Sequence, residues 1–277
     1  MSREFTIIDN IKCYAPELAL DNSGYHSEAL TILSQLEETN FWYKSRSEII
    51  KKLLQKYTNG KPANFLEVGC GNGLVLRALS DLKNLSLTGG DIYLSGVKFA
   101  QSKLPNVKFI QFDATDIPFK NEFDAIGCFD VLEHIDEDVK VIHELAKALK
   151  QNGYLFITVP QHPFLWSEID EIDRHKRRYT KKELSEKIKN AGLNILDINS
   201  FTFSLFPLMV VSRFLRKQKK KTSEATGKDK NDPEYPEIRI NSYVNSLFRF
   251  IMMADEWLIE KNVKLPFGGS ILLVAKK

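Results

Sequence analysis

The chain has 277 residues, 43% hydrophobic and 27% charged, and its 39 basic and 36 acidic side chains leave a formal net charge of +3. Those values exclude disordered and fibrous classes and describe a globular chain able to bury a core without disulfides or a structural metal. The near balance of charge gives no broad field, so nucleic acid is not an expected partner. Cys13, Cys70 and Cys128 form no CxxC pair, which argues against a disulfide framework or thiolate metal site and for a reducing cytoplasm. The opening MSREFTIIDN lacks the basic-then-apolar pattern of a secretory leader, and no apolar run approaches the roughly 20 residues that span a bilayer.

After a mixed leader up to about Glu38, the stretch from Phe41 to Tyr57 sets Ile49, Ile50, Leu53, Leu54 and Tyr57 at helical spacing among charges, which predicts an amphipathic helix. From Asn64 short apolar runs alternate with helical patterns: FLEV, VLRALSDL, LSLTGGD, VKFAQSKL, VKFIQFD, FDAIGCF, VIHELAKAL and YLFITVP. Such alternation predicts an α/β fold with a parallel sheet. A helix follows near Lys181 to Ala191 and a strand near Asn194 to Phe203, while the last apolar strand comes only at Ser270 to Ala275. The insertion between them opens with SLFPLMVVSRFLRK, passes through the polar QKKKTSEATGKDKNDPEYPE, which predicts a mobile loop, and ends in a helix from Ile238 to Glu260. In that helix Tyr243, Val244, Leu247, Phe248, Ile251, Leu258 and Ile259 read as one apolar stripe for packing on the main domain. The expected divisions are a cap over 1–60, a core over 61–203, an insertion over 204–269 and a final core strand over 270–277.

The most specific signal is FLEVGCGNG, in which an apolar strand ends in Glu67 and runs into Gly69, Gly71 and Gly73 before a helix. A glycine turn at that place lets a ligand approach the backbone closely. Dinucleotide-binding turns share the strand, turn and helix but space their glycines GxGxxG. With its acid inside the strand end, the segment resembles the first motif of the class I S-adenosylmethionine-dependent methyltransferases, of the type 11 and ubiquinone-pathway O-methyltransferase kind. The resemblance covers roughly Phe41 to Phe203. It implies a Rossmann-like, seven-stranded, mostly parallel sheet with helices on both faces, an N-terminal helical cap and a helical insertion before the last strand. It also implies S-adenosyl-L-methionine as cofactor and S-adenosyl-L-homocysteine as product, bound at Glu67, Gly69, Cys70, Gly71 and Gly73. LTGGD would supply Asp91, with Ile92 beside it, for the ribose hydroxyls, and FDATD would supply Asp113 and the Ala114 backbone for adenine. CFDVLEH would set the Cys128 carbonyl and Phe129 beside the methionine part. Upstream, FWYKSR resembles the segment preceding the fold in the ubiquinone-pathway enzymes and implies Arg46 as partner of the methionine carboxylate.

Methyl transfer from a sulfonium is an in-line displacement, so an enzyme gains most by aligning the acceptor and taking its proton. His134 is the candidate general base and His175 the second candidate catalytic residue. Asp130, Glu133 and His134 match, with Asp for Glu at the first place, the ExxEH group that the ubiquinone-pathway enzymes use for a divalent cation. The shorter first side chain leaves no metal assigned, with a divalent cation as the alternative. The stretch QHPFLWSEIDEIDRHKRRYT follows the fifth predicted strand at the end where parallel sheets carry their sites, and it offers His162, Arg178 and Tyr179 as acceptor contacts. Arginine suits an acidic or phosphorylated group. Leu205 to Lys221 joins an apolar segment to Arg213, Arg216, Lys217, Lys219, Lys220 and Lys221 with no acid among them, which suggests peripheral membrane contact through 205–221. The expected function is methyl transfer, to oxygen first, onto a small-molecule, glycan or lipid-linked acceptor. The alternatives are a non-catalytic cofactor-binding protein working in a complex and a nicotinamide-dependent oxidoreductase, against which the glycine spacing argues.

Overall fold

The computed structural model describes residues 4–19, 31, 34, 35, 37–224 and 240–277, without the side chains of 216–224. Most of the predicted mobile loop lies outside the described residues. One sheet forms the centre, built from β1 (Thr6–Ile8), β2 (Ile11–Cys13), β3 (Ala63–Val68), β4 (Leu85–Asp91), β5 (Lys108–Gln111), β6 (Phe123–Phe129), β7 (Leu149–Pro160), β8 (Asn194–Phe201) and β9 (Ser270–Lys276). Their order is β1-β2-β5-β4-β3-β6-β7-β9-β8. From β5 to β8 these are the seven strands of the sequence pattern, and β9 runs antiparallel to both β7 and β8. The leader adds the other two: Ile11 and Cys13 turn inward, Lys12 outward, and β2 pairs with the edge of β5, whose backbone groups would otherwise lack partners.

Helices α1 (Phe41–Thr58), α2 (Leu74–Leu79), α3 (Leu94–Lys103), α4 (Asp138–Ala148), α5 (Glu168–Ile172), α6 (Lys181–Asn190), α7 (Phe206–Glu224) and α8 (Ser242–Glu260) surround the sheet. Alternate residues of the central strands bury on opposite faces: Phe65 and Phe156 pack with Ile50, Leu76 and Val97, while Leu66 and Ile157 pack with Ile142, Leu145 and Leu184. α1 starts where the Asn40 side chain accepts from the Trp42 N–H at 2.9 Å and ends at Asn59 in the left-handed region, so a cap at each end fixes its length.

The insertion helix α8 packs on α1 through Phe41 and Phe248, with ring centroids 5.2 Å apart, and the Asn245 side chain accepts from the Phe41 N–H at 2.8 Å. Its apolar residues do not form the single stripe expected. Phe248, Ile251, Leu258 and Ile259 face the core, whereas Tyr243, Val244 and Leu247 are exposed. At about 100° per residue, Tyr243 lies half a turn round from buried Met252, so one helix carries two apolar faces. Among the described residues no helix is long and apolar enough to cross a membrane.

Candidate active site

The site grows from the C-terminal ends of the parallel strands, beside β3, where the chain continues to β4 on one side and β6 on the other. Beyond β3 the backbone passes through Gly69, Gly71 and Gly73 at φ +75°, +49° and +81°. At Gly69 an added Cβ would stand 2.2 Å from Val131 Cγ2, so both space and conformation demand glycine. At Gly71 such an atom would meet nothing within 4 Å, and the bare backbone faces open space. The Gly71 N–H is held by Asp91 Oδ2 at 2.9 Å, while Asp91 Oδ1 accepts from the Tyr93 N–H at 3.0 Å. Asp91 lies in register with Gln111 on β5, whose Nε2 donates to the Ile92 carbonyl at 3.0 Å. Two residues on, Asp113 Oδ1 accepts from the Thr115 N–H at 2.8 Å. Asp91, Ile92, Asp113 and Ala114 therefore gather beyond the C-terminal ends of β4 and β5.

A cavity of about 750 Å³ opens from the glycine turn and is lined by Glu67, Gly69, Cys70, Gly71 and Phe129, by Trp42, Tyr43 and Arg46 of α1, and by His134, His175 and Arg178. Ile169, Ile172, Leu205, Leu208, Met209 and Phe248 form its apolar wall. That volume falls within the roughly 300–1,000 Å³ of small-molecule sites. Asp91, Ile92, Asp113, Ala114 and Cys128 lie outside the wall, and Cys128 is wholly buried.

Arg46 is buried and forms an ion pair with Asp130, and its guanidinium lies over the Trp42 and Tyr43 rings at 4.9 and 5.5 Å. Its Nε has no partner. Glu67 Oε2 is likewise buried and unpartnered, and burial pushes the Glu67 carboxyl up to about 8 against the opposing pull of Arg46. Asp130 also accepts from the Thr158 hydroxyl at 3.0 Å. Of the three residues that match the ExxEH group, Asp130 is thus paired with Arg46. Instead Glu133, His134 and His175 bring one potential ligand atom each within 4.8 Å of one another, with Glu133 Oε2 buried and unpartnered. The two imidazoles meet edge to face with centroids 4.7 Å apart. His134 keeps an open surface, yet its packed surroundings and the neighbouring His175 push it down to about 4.

The segment after β7 is organised by Asp170, which is fully buried. Its carboxylate meets His175 Nδ1 at 3.0 Å and accepts from Arg178 Nε at 2.6 Å, from the Ser167 N–H at 2.8 Å and from Arg213 of α7 at 3.3 Å. Burial would raise this group, but the His175, Arg178 and Ser167 contacts hold it well below the usual carboxylate range. In the sequence Asp170 is one polar residue of this loop with no assigned role, although Ser167 and Asp170 have the spacing of a helix-capping box, which is the geometry they adopt. Two expected acceptor contacts are corrected. Tyr179 is fully buried with its hydroxyl donating to Asp138 Oδ2 at 2.7 Å, and so belongs to the core. His162 packs between Phe164 and Phe206, at centroid distances of 5.1 and 5.4 Å, and does not line the cavity. Of the predicted acceptor contacts, only Arg178 reaches the cavity wall.

Residues 66–157 match the family described as the methyltransferase domain. An uncharacterized protein of Methanocaldococcus jannaschii is 31% identical over 174 residues, which are 61% of this chain and 73% of that one. The ubiquinone/menaquinone biosynthesis C-methyltransferase of Campylobacter jejuni is 24% identical over 206 residues, covering 62% of this chain and 86% of its own. Among solved structures, a phosphoethanolamine N-methyltransferase of Haemonchus contortus with S-adenosyl-L-methionine shares the fold at TM-score 0.60 and 18% identity, covering 93% of this chain and 59% of that one.

Proposed function

Because the chain belongs to the class I S-adenosylmethionine-dependent methyltransferases, we propose that it methylates an oxygen of a small-molecule, glycan or lipid-linked acceptor, with His175 as general base. One observation carries this reading: a single cavity joins the glycine turn to the imidazole pair and to the apolar wall from α7 and α8. The residues fit the cofactor. Gly71 offers bare backbone, and the orphaned Glu67 Oε2 and Arg46 Nε are buried polar atoms awaiting a partner. Glu67, Gly69, Cys70, Gly71 and Phe129 would hold its methionine end, and Asp91, Ile92, Asp113 and Ala114 its adenosine. When bound, S-adenosylmethionine supplies a methyl group on a sulfonium that departs as a neutral thioether.

The chain's own contribution is alignment and proton removal. Asp170 holds His175 through Nδ1, which leaves Nε2 to take the acceptor proton. His134, pushed low by its packed surroundings and the neighbouring His175, stays neutral. Ile169, Leu208 and Met209 suit an apolar part of the acceptor, and Arg178 an acidic one. A lipid-linked acceptor would bring peripheral membrane contact through 205–221 to a cytoplasmic enzyme whose three cysteines are free and buried. A divalent cation is the second reading of the same corner, held by Glu133, His134 and His175, and it is favoured by the unpartnered Glu133 Oε2.

Labelled-methyl transfer from S-adenosylmethionine into small-molecule and lipid extracts tests the reading, with the product analysed for an O-methyl group. His175→Ala should lower turnover about a hundredfold or more while S-adenosylhomocysteine binding persists. Full activity in that variant removes His175 as base, and activity lost on chelation and restored by a divalent ion selects the second reading.

A further inference from the structure

We propose that the outward faces of α7 and α8 seat the protein on an anionic lipid bilayer, with the mouth of the cavity between them. Soluble helices turn charge outward and apolar residues inward. α8 turns apolar residues outward as well as inward. Tyr243, Leu247, Phe250, Met253 and Trp257 recur every three to four residues along one side, and each is more than half exposed. Its central charges point the other way: Asp255 is buried and accepts from the Phe203 and Ser204 N–H groups, and Arg249 pairs with buried Glu256. α7 repeats the pattern, with Leu208, Val211, Phe214 and Leu215 at least half exposed while Arg213 turns in to Asp170. Both helices line the one cavity, through Leu208 and Met209 on α7 and Phe248 on α8.

Exposed apolar area on two helices that line one cavity marks a binding surface, and the sequence says which kind. α7 runs on through Arg216, Lys217, Lys219, Lys220 and Lys221, with no acid until Glu224. Basic residues following an apolar helix face complement anionic headgroups, each contributing attraction within a Debye length of the surface. Tyr243 and Trp257 near the two ends of the α8 stripe, about 21 Å apart along the axis, are amphipathic side chains suited to the headgroup boundary.

This seating extends the peripheral contact through 205–221 given under the proposed function, and it can fail while methyl transfer stands. Flotation with vesicles of phosphatidylcholine, with and without about one third phosphatidylserine, tests it. The intact protein should float with the anionic vesicles far more than with the neutral ones, and added salt should reduce this. Leu247→Glu with Phe250→Glu should lower apparent affinity about tenfold or more, with S-adenosylhomocysteine binding unchanged. Should that variant fail to fold, Lys219→Glu with Lys220→Glu supplies the same test through charge and should abolish the preference for anionic vesicles. No flotation by the intact protein, or flotation unchanged in a folded variant, overturns the proposal. So does a dimer by light scattering that Leu247→Glu with Phe250→Glu converts to monomer, which would make a second copy the occupant.

Discussion

The two halves of the cavity are built from different materials. On the β3 side the turn itself is backbone: Gly69 and Gly71 set the path, and one carboxylate, Asp91, holds it through the Gly71 N–H. On the β7 side the wall is a side-chain network in which Asp170 gathers His175 and Arg178 from its own segment and Arg213 from α7. A backbone cradle suits a cofactor that never changes, since its shape is fixed by φ angles and glycine. A network centred on one carboxylate can be rebuilt residue by residue, and it faces the side given above to the acceptor.

If this division holds, the two halves respond differently to substitution. Asp170→Ala should have the largest effect on stability. It leaves buried Arg178 without its carboxylate, which costs about 3–5 kcal/mol in denaturant unfolding, while S-adenosylhomocysteine affinity in the folded fraction changes little. A variant as stable as the parent would break the comparison. Gly69→Ala combines a strained φ with a clash against Val131 and should cost about 2–3 kcal/mol, with cofactor binding lost as well. Binding retained at full strength there would mean that the turn is not the cradle.

Glu67 sharpens the comparison through pH. Its folded value of about 8 lies above the ordinary 4.5, so the folded chain keeps a proton that the unfolded chain releases. The resulting stability is present below the unfolded value and lost as pH rises towards 8. Glu67→Gln keeps the neutral form and should stabilise the free protein by about 2 kcal/mol at alkaline pH, with no gain in acid. Equal stability curves across that window would place a charged Glu67 in the folded state. His134 gives the smallest effect and the opposite sign. Held at about 4 against an ordinary 6.5, it lets the unfolded chain take up a proton first, so stability falls as pH drops through that window. Because its surface is partly open the loss should stay under about 1 kcal/mol, and His134→Gln should flatten it.

The backbone half was the legible half of the sequence. Glycines that need positive φ and acids that end strands leave marks at fixed spacing, and the parallel α/β core followed from the alternation of strand and helix patterns. The network half was legible in composition but not in arrangement. His175 and Arg178 stood out as polar residues in one loop, yet Tyr179 beside them turned into the core because Asp138, far back in the chain, satisfies its hydroxyl. Asp170 was hidden because a capping acid and a buried hub look alike until the arginine from α7 arrives. The pairing of β2 with β5 escaped for a similar reason: three residues of alternation are too short to separate an edge strand from a leader. In α8 a period-based stripe could not distinguish a helix with one apolar face from a helix with two.

Calorimetry with S-adenosylhomocysteine decides whether the glycine turn and Asp91 form the cofactor half of a methyl-transfer site. The intact protein should bind, and Asp91→Ala, which frees the Gly71 N–H and removes the acceptor for ribose hydroxyls, should bind at least about tenfold more weakly, about 1.4 kcal/mol. No binding by the intact protein, or equal binding by the variant, would contradict it.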